Sequence, residues 1–164
     1  MKAENIKKIL LIDDDAIIRK LTEISLSRVG KWQVVTADSG QSALEVAARE
    51  KPDLILLDVM MPGMNGPTTF RLLKELCKEQ SPPVIFVTAK VLRHEVDSYS
   101  QLGAAGVISK PFDPMTLPSQ IREIVNSIPS NVLIKSVDPT APLAETVEGS
   151  SLIPPDLGNL PVKP

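Results

Sequence analysis

Short apolar runs rich in branched residues recur along the first two thirds of the chain, at Ile9–Ile12, Leu54–Leu57, Val84–Val87 and Gly106–Ile108. With the β-branched stretch at 33–37 they predict strands over residues 7–13, 33–37, 53–57, 83–88 and 106–109. The runs lack a polar residue at every second position, the composition of parallel strands whose two faces are both covered by helices. Helical spacing fills the gaps. Ile17, Ile18, Leu21, Ile24 and Val29 give the first helix an apolar stripe, and Ala43, Leu44, Val46 and Ala47 mark the second. Phe70, Leu72, Leu73 and Leu76 mark the third, Leu92, Val96, Tyr99 and Leu102 the fourth, and Ile121, Ile124, Val125 and Ile128 the fifth. Strand and helix alternating five times predict an α/β fold with a parallel sheet and right-handed crossovers.

Prolines punctuate this pattern. Pro52 and the pair Pro82–Pro83 stand just before strands, where they end the preceding helices. Asp113–Pro114 resembles a helix cap followed by proline at the first helical position. Pro118 would clash inside a helix already under way, which moves the expected start of the fifth helix toward Thr116.

The apolar runs share a second property: each stops at a residue able to do chemistry. Asp13 and Asp14 follow the first, Asp58 the second, Thr88 the third, and Lys110–Pro111 the last. In open α/β sheets the carboxyl ends of the strands form the crevice where ligands bind. Paired carboxylates with a third nearby would repel unless a cation relieved them. Mg²⁺ suits such a cluster, because it binds oxygen ligands through a few carboxylates and completes its shell with water and phosphate oxygens. A carboxylate can accept a phosphoryl group only when its charge and that of the donor are offset.

Composition narrows the class. The chain has 164 residues, 43% of them hydrophobic, with mean hydropathy near zero at +0.06, as for one folded domain with a substantial core. A net charge of −2 gives no sign of a nucleic-acid or membrane surface. Cys77 is the single cysteine, so no internal disulfide can form, and a cytoplasmic setting is expected. No signal-peptide pattern opens the chain and no apolar run reaches membrane-spanning length. Residues 129–164 differ from the rest: seven of the 15 prolines fall there, with no aromatic residue. They read as an extended tail that keeps apolar clusters at Val132–Ile134 and Leu152–Ile153.

Residues 6–128 resemble a complete receiver domain of a two-component response regulator, of the single-domain, chemotaxis-regulator type. The resemblance is carried by Leu-Leu-Ile-Asp-Asp-Asp (10–15), Asp-Leu-Ile-Leu-Leu-Asp-Val-Met-Met-Pro-Gly-Met-Asn-Gly (53–66), Val-Thr-Ala (87–89) and Lys-Pro-Phe (110–112). It implies a flavodoxin-like, doubly wound five-stranded parallel sheet in the order 2-1-3-4-5 with five helices. It also implies Asp58 as phosphoacceptor and Mg²⁺ as cofactor, ligated by Asp14, by Asp13 largely through water, by Asp58 and by the Met60 main-chain carbonyl. Thr88 and Lys110 would contact the phosphoryl oxygens, Pro111 would follow a cis peptide bond, and Met60 and Lys90 would tune water access. The donor would be a phosphohistidine on a histidine kinase or phosphotransfer protein. The signal would leave by contact with a further protein, with no direct nucleic-acid or membrane partner.

Two positions depart from the family's usual pattern. Asn65 stands where an aspartate is common, and Val107 where many receivers carry an aromatic switch residue. Asp15 reads as a helix cap, His94 as a surface residue, Cys77 as a small packing residue and Trp32 as a packing cap. Gly63 and Gly66 read as turn residues rather than a phosphate-cradling loop. Other functions on one architecture stay open at this point. A non-phosphorylated adaptor could act through its surface and tail. A flavodoxin-type cofactor binder would need a Ser/Thr/Gly-rich loop where Asp13–Asp15 stand. A haloacid-dehalogenase-type phosphatase would place its nucleophile after the first strand.

Overall fold

The computed structural model of the protein describes residues 2–89 and 93–129. The proline-rich segment, Lys90, Leu92 and the His94 side chain lie outside the described residues. Five strands, β1 (Lys8–Ile12), β2 (Gln33–Ala37), β3 (Leu54–Asp58), β4 (Val84–Thr88) and β5 (Gly106–Ser109), form one sheet in the order β2-β1-β3-β4-β5. Every pairing is parallel. Helices α1 (Ala16–Ile24), α2 (Gly40–Glu50), α3 (Gly66–Cys77), α4 (Arg93–Gln101) and α5 (Leu117–Ser127) make the crossovers, and α1 runs on into a wider π segment, Ser25–Val29. The strands match those expected to within a residue at either end, and the order is the expected one.

Alternate residues along each strand feed two cores. Ile9 and Leu11, Leu54 and Leu56, and Ile85 and Val87 pack with Leu26 of the π segment and with Leu117, Ile121 and Val125 of α5. Leu10 and Ile12, Ile55 and Leu57, and Val84 and Phe86 pack with Ala43 and Ala47 of α2, Phe70 and Leu73 of α3, and Tyr99 of α4. In the second core Phe86 lies between Phe70 and Tyr99, with ring centroids 5.4 and 4.8 Å away. α5 starts after Thr116, with Pro118 in its first turn, where an amide donor is not needed.

The stripe read in α1 does not face the sheet. Ile17, Leu21, Ile24 and Val29 are exposed, while Thr22, Ser25 and Leu26 are buried. The polar residues can take the inward face because their hydroxyls are bonded: Thr22 Oγ1 donates to the Ile18 carbonyl at 2.7 Å, and Ser25 Oγ donates to the Pro114 carbonyl. Leu76 and Leu102, also assigned to apolar stripes, are exposed as well, and Leu102 lies past the end of α4. Trp32 is buried before β2, with the Arg122 guanidinium 4.6 Å over its ring.

Side-chain caps set where α1 and α3 begin. Asp15 accepts from the Ile17 and Ile18 amides at the start of α1, and Asn65 accepts from the Thr68 amide at the start of α3. Three helical segments end next to a lysine with positive φ: Lys31 at 63°, Lys51 at 47° and Lys78 at 48°.

Candidate functional site

The parallel register brings the polar residues at the strand ends to one edge. Ile12 pairs with Leu57, so Asp13 and Asp58 are next in line on neighbouring strands. Asp58 pairs with Val87, which sets Thr88 one residue further along, and Thr88 pairs with Ser109, the residue before Lys110. Asp13, Asp58 and Thr88 are buried, and Asp14 is exposed.

Among the described residues, Asp13, Asp14 and Asp58 form a cluster in which one carboxylate oxygen of each lies within 4.8 Å of the others. Lys110 Nζ bridges two of them, donating to Asp13 Oδ2 at 2.7 Å and lying 3.2 Å from Asp58 Oδ1. The Lys110–Pro111 peptide is cis, and the Lys110 amide donates to the Thr88 carbonyl at 2.7 Å. One ammonium against three carboxylates leaves negative charge uncompensated. All the available donors are hard oxygens, and the exposed Asp14 opens the cluster to solvent. That donor set fits a hard divalent cation such as Mg²⁺.

Burial pushes the Asp58 pKa above the ordinary carboxylate range; Lys110 works against the rise and Asp13 adds to it. Burial disfavours the charged form of Lys110 as well. There the hydrogen bond and charge of Asp13, followed by those of Asp58, outweigh it and hold the pKa above that of a free lysine. Asp15 takes no part in the cluster. Its carboxylate is occupied by the Ile18 and Ile17 amides, which lower its pKa.

The surroundings hold the acidic turn in place. The Asp13 amide donates to the Ala37 carbonyl at 3.2 Å, and Asp13 Oδ1 accepts from the Asp15 amide at 2.9 Å. Arg19 Nη1 donates to the main-chain carbonyls of Asp13 and Asp14 at 2.6 and 3.3 Å. Arg19 did not stand out in the sequence; its only signal there was a position one turn into the helix after the acids. Gly66 does more than turn the chain. A Cβ at this position would meet the Asp58 carbonyl oxygen at 2.5 Å and Val59 Cα at 2.8 Å, so α3 can start against the Asp58 main chain only with glycine there. Gly63, by contrast, has φ of +74° with open space around it, a simple turn requirement. Met60 is exposed two residues beyond Asp58.

Residues 9–122 match the family model described as the response regulator receiver domain. The chain belongs to the response regulator receiver family. A probable transcriptional regulator, ycf27, of Cyanophora paradoxa is 41% identical over 123 residues, covering 74% of this chain and 49% of the relative. The alkaline phosphatase synthesis transcriptional regulatory protein PhoP of Bacillus subtilis is 36% identical over 119 residues, covering 73% and 48%. The chain thus spans about half the length of these curated relatives. Among solved structures, the chemotaxis protein CheY4 of Vibrio cholerae is 30% identical with a TM-score of 0.65, covering 73% of this chain and 98% of that one. The receiver is a signalling module of two-component systems, and its acidic cluster is compatible with a metal ion. No helix among the described residues is long and apolar enough to cross a membrane.

Proposed function

We propose that Asp58 accepts a phosphoryl group from a phosphohistidine on a histidine kinase or phosphotransfer protein. The observation that supports this reading best is the pairing of a buried carboxylate at the end of β3 with both a lysine ammonium and two further carboxylates. An Asp58 carboxylate oxygen forms the new bond to phosphorus as the bond from phosphorus to the imidazole nitrogen breaks, and the electron pair leaves with the imidazole. Lys110, already shared between Asp13 and Asp58, stays within reach of the charge that gathers on the phosphoryl oxygens. Thr88, beside Asp58 in the register, supplies a hydroxyl to a phosphoryl oxygen.

Asp13, Asp14 and Asp58, with the Met60 main-chain carbonyl, would hold Mg²⁺, which when bound offsets the charge of acceptor and donor. Arg19 keeps the two acids of the β1 turn in place through their carbonyls. The receiver unit would run over residues 6–128, with Met60 and Lys90 governing water access to the acyl phosphate. A cytoplasmic location and output through protein contact complete the reading.

Intact mass after incubation with Mg²⁺ and a small acyl-phosphate donor tests it. The protein should gain one phosphoryl group, and both metal removal and Asp58→Asn should abolish the gain. A folded protein that stays unmodified, also with an authentic phosphohistidine donor, would leave an adaptor role in its place.

A further inference from the structure

Pro118 needs no amide for α5 itself, but the turn before α5 lacks the donor that residue 118 would have supplied. The Leu117 amide donates to the Asp113 carbonyl at 2.9 Å, so a helical ladder is already running when it reaches Pro114. The Pro114 carbonyl would accept next from residue 118. Proline has no amide hydrogen, and its ring crowds the carbonyl four residues back. The Ser119 amide goes to the Thr116 carbonyl instead, at 3.0 Å. The carbonyl left over at Pro114 accepts from the hydroxyl of Ser25, a buried residue 89 positions earlier in the chain.

We infer that Ser25 is a positioning residue for Lys110, holding the loop from which the ammonium reaches Asp13 and Asp58. Among the described residues, the other hydrogen bonds of residues 111–116 stay within the turn and the start of α5. Lys110 is tied on its strand side, where its amide donates to the Thr88 carbonyl. The bond from Ser25 closes the other side of the loop, four residues on. α1 meets this loop next to the acidic edge, where Thr22, Phe112 and Leu117 line one narrow pocket with Asp13. The helix also widens into its π segment at Ser25, and single π turns are concentrated at functional sites. Lys110 Nζ lies 2.7 Å from Asp13 Oδ2 and 3.2 Å from Asp58 Oδ1, a geometry that a shifted loop would not keep. An effect of Ser25 on phosphoryl transfer rests on the function proposed above; its effect on the Lys110 side chain does not.

The test is trace acetylation of the full chain, with the Lys110 rate taken relative to that of exposed Lys51 by peptide mass. Lys110, held between two carboxylates, should react slowly in the parent. Ser25→Ala should raise its relative rate several-fold. Adding Pro118→Ala, which returns an amide to the Pro114 carbonyl, should bring the rate back to that of the parent. Thr22→Val removes a buried hydroxyl that donates within α1 and should change nothing. Phosphoryl gain at saturating Mg²⁺ should fall about tenfold in Ser25→Ala and recover with Pro118→Ala. If Ser25→Ala does not fold, Ser25→Cys, a weak donor, takes its place with the same expected rise. An unchanged Lys110 rate overturns the inference, as does a rise that Thr22→Val matches or that Pro118→Ala fails to reverse. A parent that takes up no phosphoryl group sinks the proposed function, while the acetylation rates still decide the role of Ser25.

Discussion

β3 carries an aspartate at each end, and the two are used in opposite ways. Asp53, just before the strand, accepts from the main-chain amides of Lys7 and Lys8, both at 2.8 Å, and so ties the start of β1 to the start of β3. Asp58, at the far end, is buried against a lysine and two other carboxylates that compete with it for charge compensation. A carboxylate with one oxygen held by two fixed amides is a structural clip. One whose neighbours are side chains, and whose pKa is pushed up by burial, remains available for chemistry. The length of β3 that separates them also separates two edges of the sheet, one tied by main-chain amides and one holding a cluster of carboxylates around a lysine.

The contrast can be broken most forcefully at Asp58. Asp58→Asn should remove phosphoryl acceptance altogether, whereas Asp53→Asn should keep it, with intact mass as the measure. Next in size is Lys110→Ala, which leaves the buried Asp13 and Asp58 facing each other without a cation. It should cost about 3 kcal/mol at neutral pH, read from urea denaturation in chelator-treated buffer, and the cost should shrink as acid protonates Asp58. Asp53→Ala removes the acceptor of the Lys7 and Lys8 amides at the other edge and should cost about 2 kcal/mol while metal affinity stays unchanged.

The pH dependence sharpens the comparison further. A folded-state pKa raised above the unfolded value means that Asp58 favours the folded state when protonated, and this contribution is lost as pH rises from the ordinary aspartate value of 3.8 through the raised one. In metal-free buffer, Asp58→Asn should therefore be more stable than the parent at neutral pH, and the gap should close below the unfolded pKa. Denaturation midpoints across that window give the sign directly. The smallest effect expected is a gain. Lys51 ends α2 in the left-handed region with φ of 47°, and Lys51→Gly should stabilise by about 1 kcal/mol.

The fold was legible because its strands are buried on both faces, which forces runs such as Leu54–Leu57 that few other structures require. Asp58, Asp13, Asp14 and Lys110 were legible as candidates because each closes such a run, and the register then brings them to one edge. Their roles in phosphoryl transfer rest on the proposal above. Features that depend on how elements pack stayed hidden. Periodicity in α1 picked Ile17 and Leu21, yet bonded hydroxyls let Thr22 and Ser25 take the inward face. Gly66 looked like any turn glycine until the Asp58 carbonyl was seen 2.5 Å from where its Cβ would stand. Arg19 and Asp53 act through main-chain atoms, and no residue pattern advertises such partners.

Trp32 is the only tryptophan, and it sits before β2, at the sheet edge opposite Asp58, beneath the Arg122 guanidinium. Its emission should therefore change sharply when α5 peels from the sheet and hardly at all when a metal ion or phosphoryl group arrives at the far edge. The protein carries its own optical gauge of unfolding, one that ligand titrations leave almost undisturbed.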